Sequence, residues 1–375
     1  NRHDHSLRVP RPDLSTKYGT PNACSNCHTE GDEWATQQII QYHGNHRRSH
    51  FSETLLPGSR RHFSAERDLA ELAQDPGQPP MARGAALLLL NGYELGYSQE
   101  AIANGLKDPE PLVRLHALQS IERLDQKKRH GMLKRLLNDP IKAIRTDASR
   151  IAVEHLSEFI EPSERKVLLS VLDEYKAIQT QQSDLPEAHT NLASISTALG
   201  QFDTAETQLK VALAIEPEWI PGLVNLADLY RRVDRDSEAG TILEKAIAIE
   251  PPMPEALIAY GLWLIRNDRP GDALNQFQRG YELEPGNLQN DYLYALALNA
   301  NNRRKDAIEV TELAVDRFGN HRILLELLAT MYRDAGSFDE ALAYAARLEE
   351  LFGGEAYRAL RAQILTAIRR RDAAS

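Results

Sequence analysis

The two cysteines of the 375-residue chain, Cys24 and Cys27, stand three positions apart, and His28 follows directly. Two thiols at this C-x-x-C-H spacing can form thioethers with the two vinyl groups of a haem, and the adjacent imidazole can then bind the iron. The motif therefore predicts covalent attachment of one c-type haem. Cys24 and Cys27 are the predicted attachment residues, and His28 is the predicted proximal iron ligand.

Other chemistry at this C-x-x-C pair must be weighed against haem attachment. A redox-active dithiol is typical of a thioredoxin-like βαβ context, which the surrounding sequence lacks. A structural disulfide leaves His28 and the other nearby histidines unexplained. The best alternative is a zinc site formed by Cys24, Cys27 and two upstream histidines, because a Cys2His2 ligand set is chemically sound.

A haem bound by His28 needs a sixth iron ligand, or keeps an open position for a substrate. The four methionines all lie in or beside the repeats described below, whereas seven of the twelve histidines lie within residues 1–62. We predict His5 as the distal ligand, because the proline-stiffened segment that follows it is extended and long enough to pass between haem faces. His3 is the second choice, or a ligand to a neighbouring haem, and His50 is the third.

The elements that position these residues begin with residues 1–62, which are polar, rich in histidine and interrupted by proline and glycine. Apolar residues at near-helical spacing predict one short helix from Asp32 to Tyr42. A segment this small and polar cannot form a large hydrophobic core, so it needs a stabilising group such as a metal or a cofactor. We therefore assign residues 1–62 to a haem-binding segment.

Residues 63–164 repeat with a period of 31. Arg83, Arg114 and Arg145 are spaced by 31 residues, and so are three alanines: Ala86, Ala117 and Ala148. An Asp-Pro pair precedes each copy, which predicts a helix N-cap followed by the first helical position. This pattern resembles short HEAT-like repeats, in which helix pairs stack into a solenoid.

Residues 165–375 repeat with a period of 34. Five alanines mark the period: Ala205, Ala239, Ala273, Ala307 and Ala341. A row of large residues and a row of small residues keep the same spacing, so that paired helices can approach closely. These features resemble about five tetratricopeptide repeats (TPRs). A helix over residues 167–182 is expected to couple the two solenoids. The predicted fold class is thus all-α, a HEAT-like and then TPR solenoid behind a small haem segment.

Composition excludes several classes of function. The chain carries 54 acidic and 44 basic residues, a formal charge of -10, which argues against a nucleic-acid binder. No apolar run approaches the ~20 residues that cross a bilayer. The sequence begins at Asn1 without a leader, so we expect a processed chain or a fragment.

Two stretches give a more specific resemblance. Residues 2–12 hold His3-Asp4-His5 and a proline-rich run, and residues 19–24 read Gly-Thr-Pro-Asn-Ala-Cys. Together with the domain order, they resemble the last haem-binding segment of bacterial multihaem cytochromes c that carry C-terminal HEAT and tetratricopeptide repeats. The resemblance implies a periplasmic or extracellular protein for electron transfer with bis-histidine haems. Further C-x-x-C-H sites usually precede this segment in that family, whereas this sequence holds one. One haem c per chain is therefore expected here, or more if upstream sequence is missing.

The expected function is therefore that of an electron carrier rather than an enzyme. Bis-histidine ligation gives a lower potential than a His/Met pair. The expected partners are other cytochromes or redox proteins, a protein ligand of the TPR groove, and copies of the chain itself, conceivably in a filament. One alternative is a haem enzyme that reduces oxyanions at an open iron, with charge supplied by Arg47, Arg48, Arg60 and Arg61. The other is a zinc-stapled TPR interaction module without a redox role.

Overall fold

The computed structural model describes residues 11–22, 24, 27–44, 50–62, 64–93 and 96–374. Across these ranges the regular secondary structure is helical, with no strand, which confirms the predicted all-α class. Helices pack against their sequence neighbours along the chain, as in a solenoid. No helix within these ranges has the length and apolar character that crossing a membrane requires.

The N-terminal segment contributes three short helices: α1 (Pro12–Tyr18), α2 (Asp32–His43) and α3 (Ser52–Ser59). The bounds of α2 match the helix predicted from apolar spacing to within one residue. Helix α3 packs on the first repeat, where a Cβ at Gly58 would lie 2.8 Å from Leu69 Cδ1, so a larger residue would displace the Leu69 side chain. The Tyr93 hydroxyl donates a hydrogen bond to the His62 carbonyl at 3.0 Å and fixes the end of the segment.

Three helix pairs follow, with a core of buried leucines, isoleucines and alanines. They are α4 (Ala65–Gln74), α5 (Pro80–Leu90), α6 (Gly96–Gly105), α7 (Pro111–Leu118), α8 (Gln126–Leu136) and α9 (Lys142–Glu154). Helix α10 (Pro162–Thr180) then joins this core to the next one. It begins five residues earlier than predicted, because Pro162 supplies its first position.

The Asp-Pro pairs do not start the helices, as the sequence had suggested. Helix α7 starts at Pro111 after Glu110, and α9 starts at Lys142 after Ile141. Asp108 and Asp139 instead accept the backbone N–H two residues further on, in a side-chain turn before the helix. Each of these carboxylates also pairs with the arginine of the preceding repeat, so the prediction of an N-cap was wrong.

This pairing forms a ladder along the HEAT-like repeats. Arg83 pairs with Asp108, Arg114 with Asp139, and Arg145 with Glu174 on α10. The Arg114 guanidinium also donates to the carbonyls of Asp108 and Pro109, at 2.8 and 3.0 Å. The recurring arginines and aspartates therefore join one repeat to the next.

The second solenoid consists of five helix pairs and a final helix. They are α11 (Pro186–Ala198), α12 (Phe202–Ile215), α13 (Ile220–Arg232), α14 (Asp236–Ile247), α15 (Pro254–Arg266), α16 (Pro270–Leu283), α17 (Leu288–Ala300), α18 (Arg304–Phe318), α19 (Arg322–Ala335), α20 (Phe338–Phe352) and α21 (Glu355–Ala374). The five alanines of the 34-residue row are all buried. Where the row of small residues has Gly261, a Cβ would lie 2.6 Å from the Phe277 ring, so the pair α15 and α16 depends on this small residue.

The fourth unit of the 34-residue register departs from the others. Glu216, Glu250 and Glu284 occupy one register position and are exposed, whereas Phe318 occupies it in the fourth unit and is 8% exposed. The guanidinium carbon of Arg61 lies 5.0 Å from the centre of the Phe318 ring, a cation–π distance. The end of the N-terminal segment therefore contacts the TPR-like solenoid directly.

Candidate haem attachment site

The attachment motif forms a helical turn. The Cys24 carbonyl accepts hydrogen bonds from the N–H groups of Cys27 and His28, at 3.1 and 2.9 Å. Residues three apart on such a turn project from the same face. Cys24 is half-buried, Cys27 is exposed, and neither is joined in a disulfide. This spacing on a turn is compatible with attachment of both thiols to one flat ligand.

Asn22 connects this turn to the two helices beside it. Its Oδ1 accepts the backbone N–H of Cys24 at 2.9 Å, in the side-chain turn that asparagine favours. Its Nδ2 donates to Ser15 Oγ in α1 at 2.9 Å and to Asp32 Oδ1 in α2 at 2.7 Å. One amide therefore fixes the turn, α1 and the first residue of α2 relative to one another.

The His28 side chain is half-exposed and contacts α2. Its ring centre lies 4.5 Å from that of Trp34, with the two planes 41° apart. Its Nδ1 lies 3.9 Å from a carboxylate oxygen of Glu30. In metal-binding histidines, the group facing the second ring nitrogen orients the ring, and Glu30 is the nearby carboxylate here.

The donor set on this turn fits a c-type haem. Thioether attachment needs two accessible thiols on one face and an imidazole directly beyond them, and the turn supplies all three. The alternative zinc site needs two upstream histidines besides Cys24 and Cys27, which the sequence would draw from His3 and His5. Within the ranges that the structure describes, no cluster of three or more His, Cys, Asp or Glu side chains is arranged to hold a metal ion.

A cleft of about 900 Å³ lies between α1, α2 and the start of α3, next to Trp34. Its walls carry charges of both signs. Arg11 pairs with Asp13 at 2.8 Å and with Glu53 at 3.3 Å, and the hydrogen bond that Arg11 donates to Asp13 contributes most to raising the pKa of the Arg11 guanidinium. Such walls differ from the mostly apolar lining that buries a cofactor. The cleft is therefore a polar neighbour of the attachment turn.

The predicted distal ligands divide between the two parts of the chain. His3 and His5 lie outside the described residues. His50 precedes α3, where its Nδ1 lies 3.2 Å from the backbone nitrogen of Ser52 and 2.7 Å from Ser52 Oγ. A neutral ring that accepts this N–H at Nδ1 carries its proton on Nε2. In that tautomer Nε2 is protonated and has no lone pair for iron, while Nδ1 accepts a hydrogen bond at the start of α3.

The arginines considered for oxyanion binding are equally divided. Arg47 and Arg48 lie outside the described residues. Arg60 donates to the Tyr18 carbonyl, and Arg61 lies over the Phe318 ring. Both described arginines thus have structural contacts away from the attachment turn.

Sequence reasoning overlooked two residues of this site. Asn22 stands two positions before Cys24, which is the spacing of an asparagine side-chain turn and so a usable signal. From the sequence alone, Trp34 is one of the apolar residues that predict the helix from Asp32 to Tyr42. Its contact with His28 depends on the turn at Gly31, whose φ of 89° the sequence alone does not specify.

Comparisons with known proteins add little to this picture. No protein-family model matches the chain, and no curated protein sequence matches it. Among solved structures, YrrB, a TPR protein with an unusual peptide-binding site, is 16% identical, covering 52% of this chain and 96% of its own, with a TM-score of 0.41. PilF of Pseudomonas aeruginosa is 19% identical, covering 58% of this chain and 99% of its own, with a TM-score of 0.42. MamA is 21% identical, covering 44% and 90%, with a TM-score of 0.39.

Proposed function

We propose that this chain is a c-type cytochrome that transfers electrons through one covalently attached haem. The observation that carries the proposal is the turn from Cys24 to His28, which presents two thiols and an imidazole in the order that haem attachment needs. Cys24 and Cys27 hold the haem by thioether bonds, and His28 binds its iron. A bound haem supplies a reversible one-electron couple at the iron.

The surrounding residues orient the ligand and set its environment. Trp34 packs on the His28 ring and limits its rotation, and a Glu30 carboxylate oxygen lies 3.9 Å from Nδ1. His5 supplies the distal nitrogen, with His3 as the substitute or as the ligand to a neighbouring haem. Two imidazoles leave no open iron position, which favours electron transfer over reduction of an oxyanion.

The repeats serve as a docking scaffold in this proposal. Helix α15 exposes Leu262 and Ile265, which are 38% and 41% accessible, on the TPR-like solenoid. Exposed apolar side chains on a rigid helix suit a protein ligand better than a small molecule. The partners we propose are another redox protein or further copies of the chain, the latter in an assembly that brings haems of successive subunits together.

The proposal places the protein outside the cytoplasm, in the periplasm or beyond it. The machinery that forms thioether bonds to haem works there, and it must keep Cys24 and Cys27 from forming a disulfide. A chain exported in a host with that machinery should therefore carry haem, and a chain retained in the cytoplasm should not.

A pyridine haemochrome spectrum of the exported chain tests the proposal. We expect the spectrum of a haem with two thioether bonds, and no binding of carbon monoxide by the reduced protein. The His5→Ala variant should become high-spin or bind carbon monoxide, whereas His50→Ala should not. Carbon monoxide binding by the unaltered chain would favour the reductase alternative. Stoichiometric zinc without haem would favour the interaction module.

A further inference from the structure

We infer that Asn22 and Trp34 form a brace that sets the Cys24–His28 turn and the His28 ring in the haem-free chain. The consequence for haem attachment rests on the proposed function. The brace itself is a property of the polypeptide. Asn22 and Trp34 are thus positioning residues, which act through the turn and through His28.

The first half of the brace is the Asn22 amide. It is bonded in three directions, to the Cys24 N–H, to Ser15 and to Asp32, so removing it releases the turn from both helices at once. Ser15 is itself 3% exposed, which makes α1 a firm anchor. An amide is the side-chain group that can accept the Cys24 N–H and donate to Ser15 and Asp32 at once, and each of these partly buried hydrogen bonds is lost without it.

The second half is Trp34, which reaches His28 because the chain reverses between them. Gly31 has a φ of 89°, in the region that L residues rarely adopt, and no atom lies within 4 Å of a Cβ placed there. The requirement for glycine is therefore conformational rather than steric. Helix α2 starts directly after this glycine and carries Trp34 onto the His28 ring in its first turn.

Preorganisation of this kind favours a covalent attachment step. The two thiols and the imidazole must meet one rigid ligand, and ordering them beforehand lowers the entropy lost on binding. A chain without the brace has to order five residues during attachment. We therefore expect the brace to affect how much haem the chain acquires, rather than the stability of the distant repeats.

The brace can be tested in the haem-free full chain by NMR of ¹³C-labelled histidine rings, with the His28 signal assigned from a His28→Gln variant. The ring current of Trp34 should shift the His28 ring protons upfield. Trp34→Leu and Asn22→Ala should move them back towards the positions of an exposed histidine, whereas the control Trp219→Leu should not. If the His28 ring protons of the unaltered haem-free chain already have the chemical shifts of an exposed histidine, the inference is overturned. This result does not depend on whether the exported chain acquires haem.

Haem content gives the second measurement, in an exporting host with the attachment machinery. Asn22→Ala removes three hydrogen bonds and should lower covalent haem per chain by at least roughly three- to tenfold, the scale expected for a single net hydrogen bond. Gly31→Ala should lower it in the same direction. The control Asn138→Ala removes an exposed helix contact in the HEAT-like repeats and should load normally. Normal loading of both site variants would overturn the inference, while absence of haem from the unaltered chain would overturn the proposed function alone.

Discussion

The guanidinium of Arg114 makes two parallel hydrogen bonds to the carboxylate of Asp139, from Nε to Oδ2 at 2.7 Å and from Nη2 to Oδ1 at 3.0 Å. The side chains are 10% and 6% exposed, so water screens this pair weakly. The pair joins two successive HEAT-like repeats. It also explains why an arginine and an aspartate recur with the same 31-residue period.

Asp139→Asn should destabilise the HEAT-like repeats by about 3 kcal/mol, because it leaves a buried guanidinium without its counter-charge. Asparagine keeps the Oδ1 that accepts the Ile141 N–H, so the change isolates the charge from the turn. Urea unfolding measures the loss. The control Asp147→Asn, in a more exposed pair with Arg150, should cost under ~0.5 kcal/mol. Equal losses in the two variants would refute a special role for the buried ladder.

Glu206 should make part of the stability of the TPR-like solenoid depend on pH. A hydrogen bond from Lys210 and others from Arg235 and Tyr230 lower its pKa to about 2. Because the folded pKa lies below the usual value of 4.5, the contribution is present above pH 4.5 and is lost as the pH falls towards 2.

The variant Glu206→Gln should therefore be less stable by about 1 kcal/mol at pH 7, and the difference should shrink as the pH falls from 4.5 towards 2. Thermal unfolding as a function of pH measures both quantities. The exposed control Glu218→Gln should follow the unaltered chain throughout. A constant difference between pH 7 and pH 2 would contradict the assigned linkage.

Ala239 and Ala273 should not tolerate larger side chains. Both are fully or almost fully buried between the paired helices of their units. Replacing either by Leu should overpack the contact and cost about 1–3 kcal/mol in thermal unfolding. Ala214→Leu, at an exposed position of α12, is the matched control and should be close to neutral. Neutral behaviour of both buried variants would contradict the 34-residue register.

Phe318→Ala should release the end of the N-terminal segment from the TPR-like solenoid. Alanine removes the ring that the Arg61 guanidinium contacts and brings no carboxylate that could pair with this cation. We expect a larger radius of gyration in small-angle X-ray scattering, and the same direction for Arg61→Ala. The control Phe202→Ala, at a more exposed phenylalanine, should leave the scattering unchanged. An unchanged profile for both site variants would show that this contact does not hold the two parts together.

The helix pairs could be predicted from the sequence because their signals are local. The alanine rows report close helix contacts within one unit, and they recur often enough to establish the period. The roles of Asp108 and Asp139 could not be predicted in the same way. Each carboxylate accepts the backbone N–H two residues further on and also pairs with an arginine of the preceding repeat. Only the first of these interactions is local in sequence.

The candidate attachment site divides in the same way. The spacing of Cys24, Cys27 and His28 predicts haem attachment, and that chemistry stays a prediction, whereas the contact between His28 and Trp34 depends on a backbone reversal at Gly31 that the spacing does not indicate. The contact between Arg61 and Phe318 depends on how the whole solenoid curves, which no local pattern encodes. The one indication in the sequence is that Phe318 stands where three other repeats have glutamate. That difference does not identify the residue that Phe318 contacts.

The most direct test of the central claim is the intact mass of the exported full-length chain after extraction with acid acetone, which removes haem that is not covalently bound. We expect a chain heavier by the mass of one haem, and no added mass in the Cys24→Ala/Cys27→Ala double variant. A chain of unmodified mass from a host that loads other c-type cytochromes would contradict the account, and so would haem retained by the double variant.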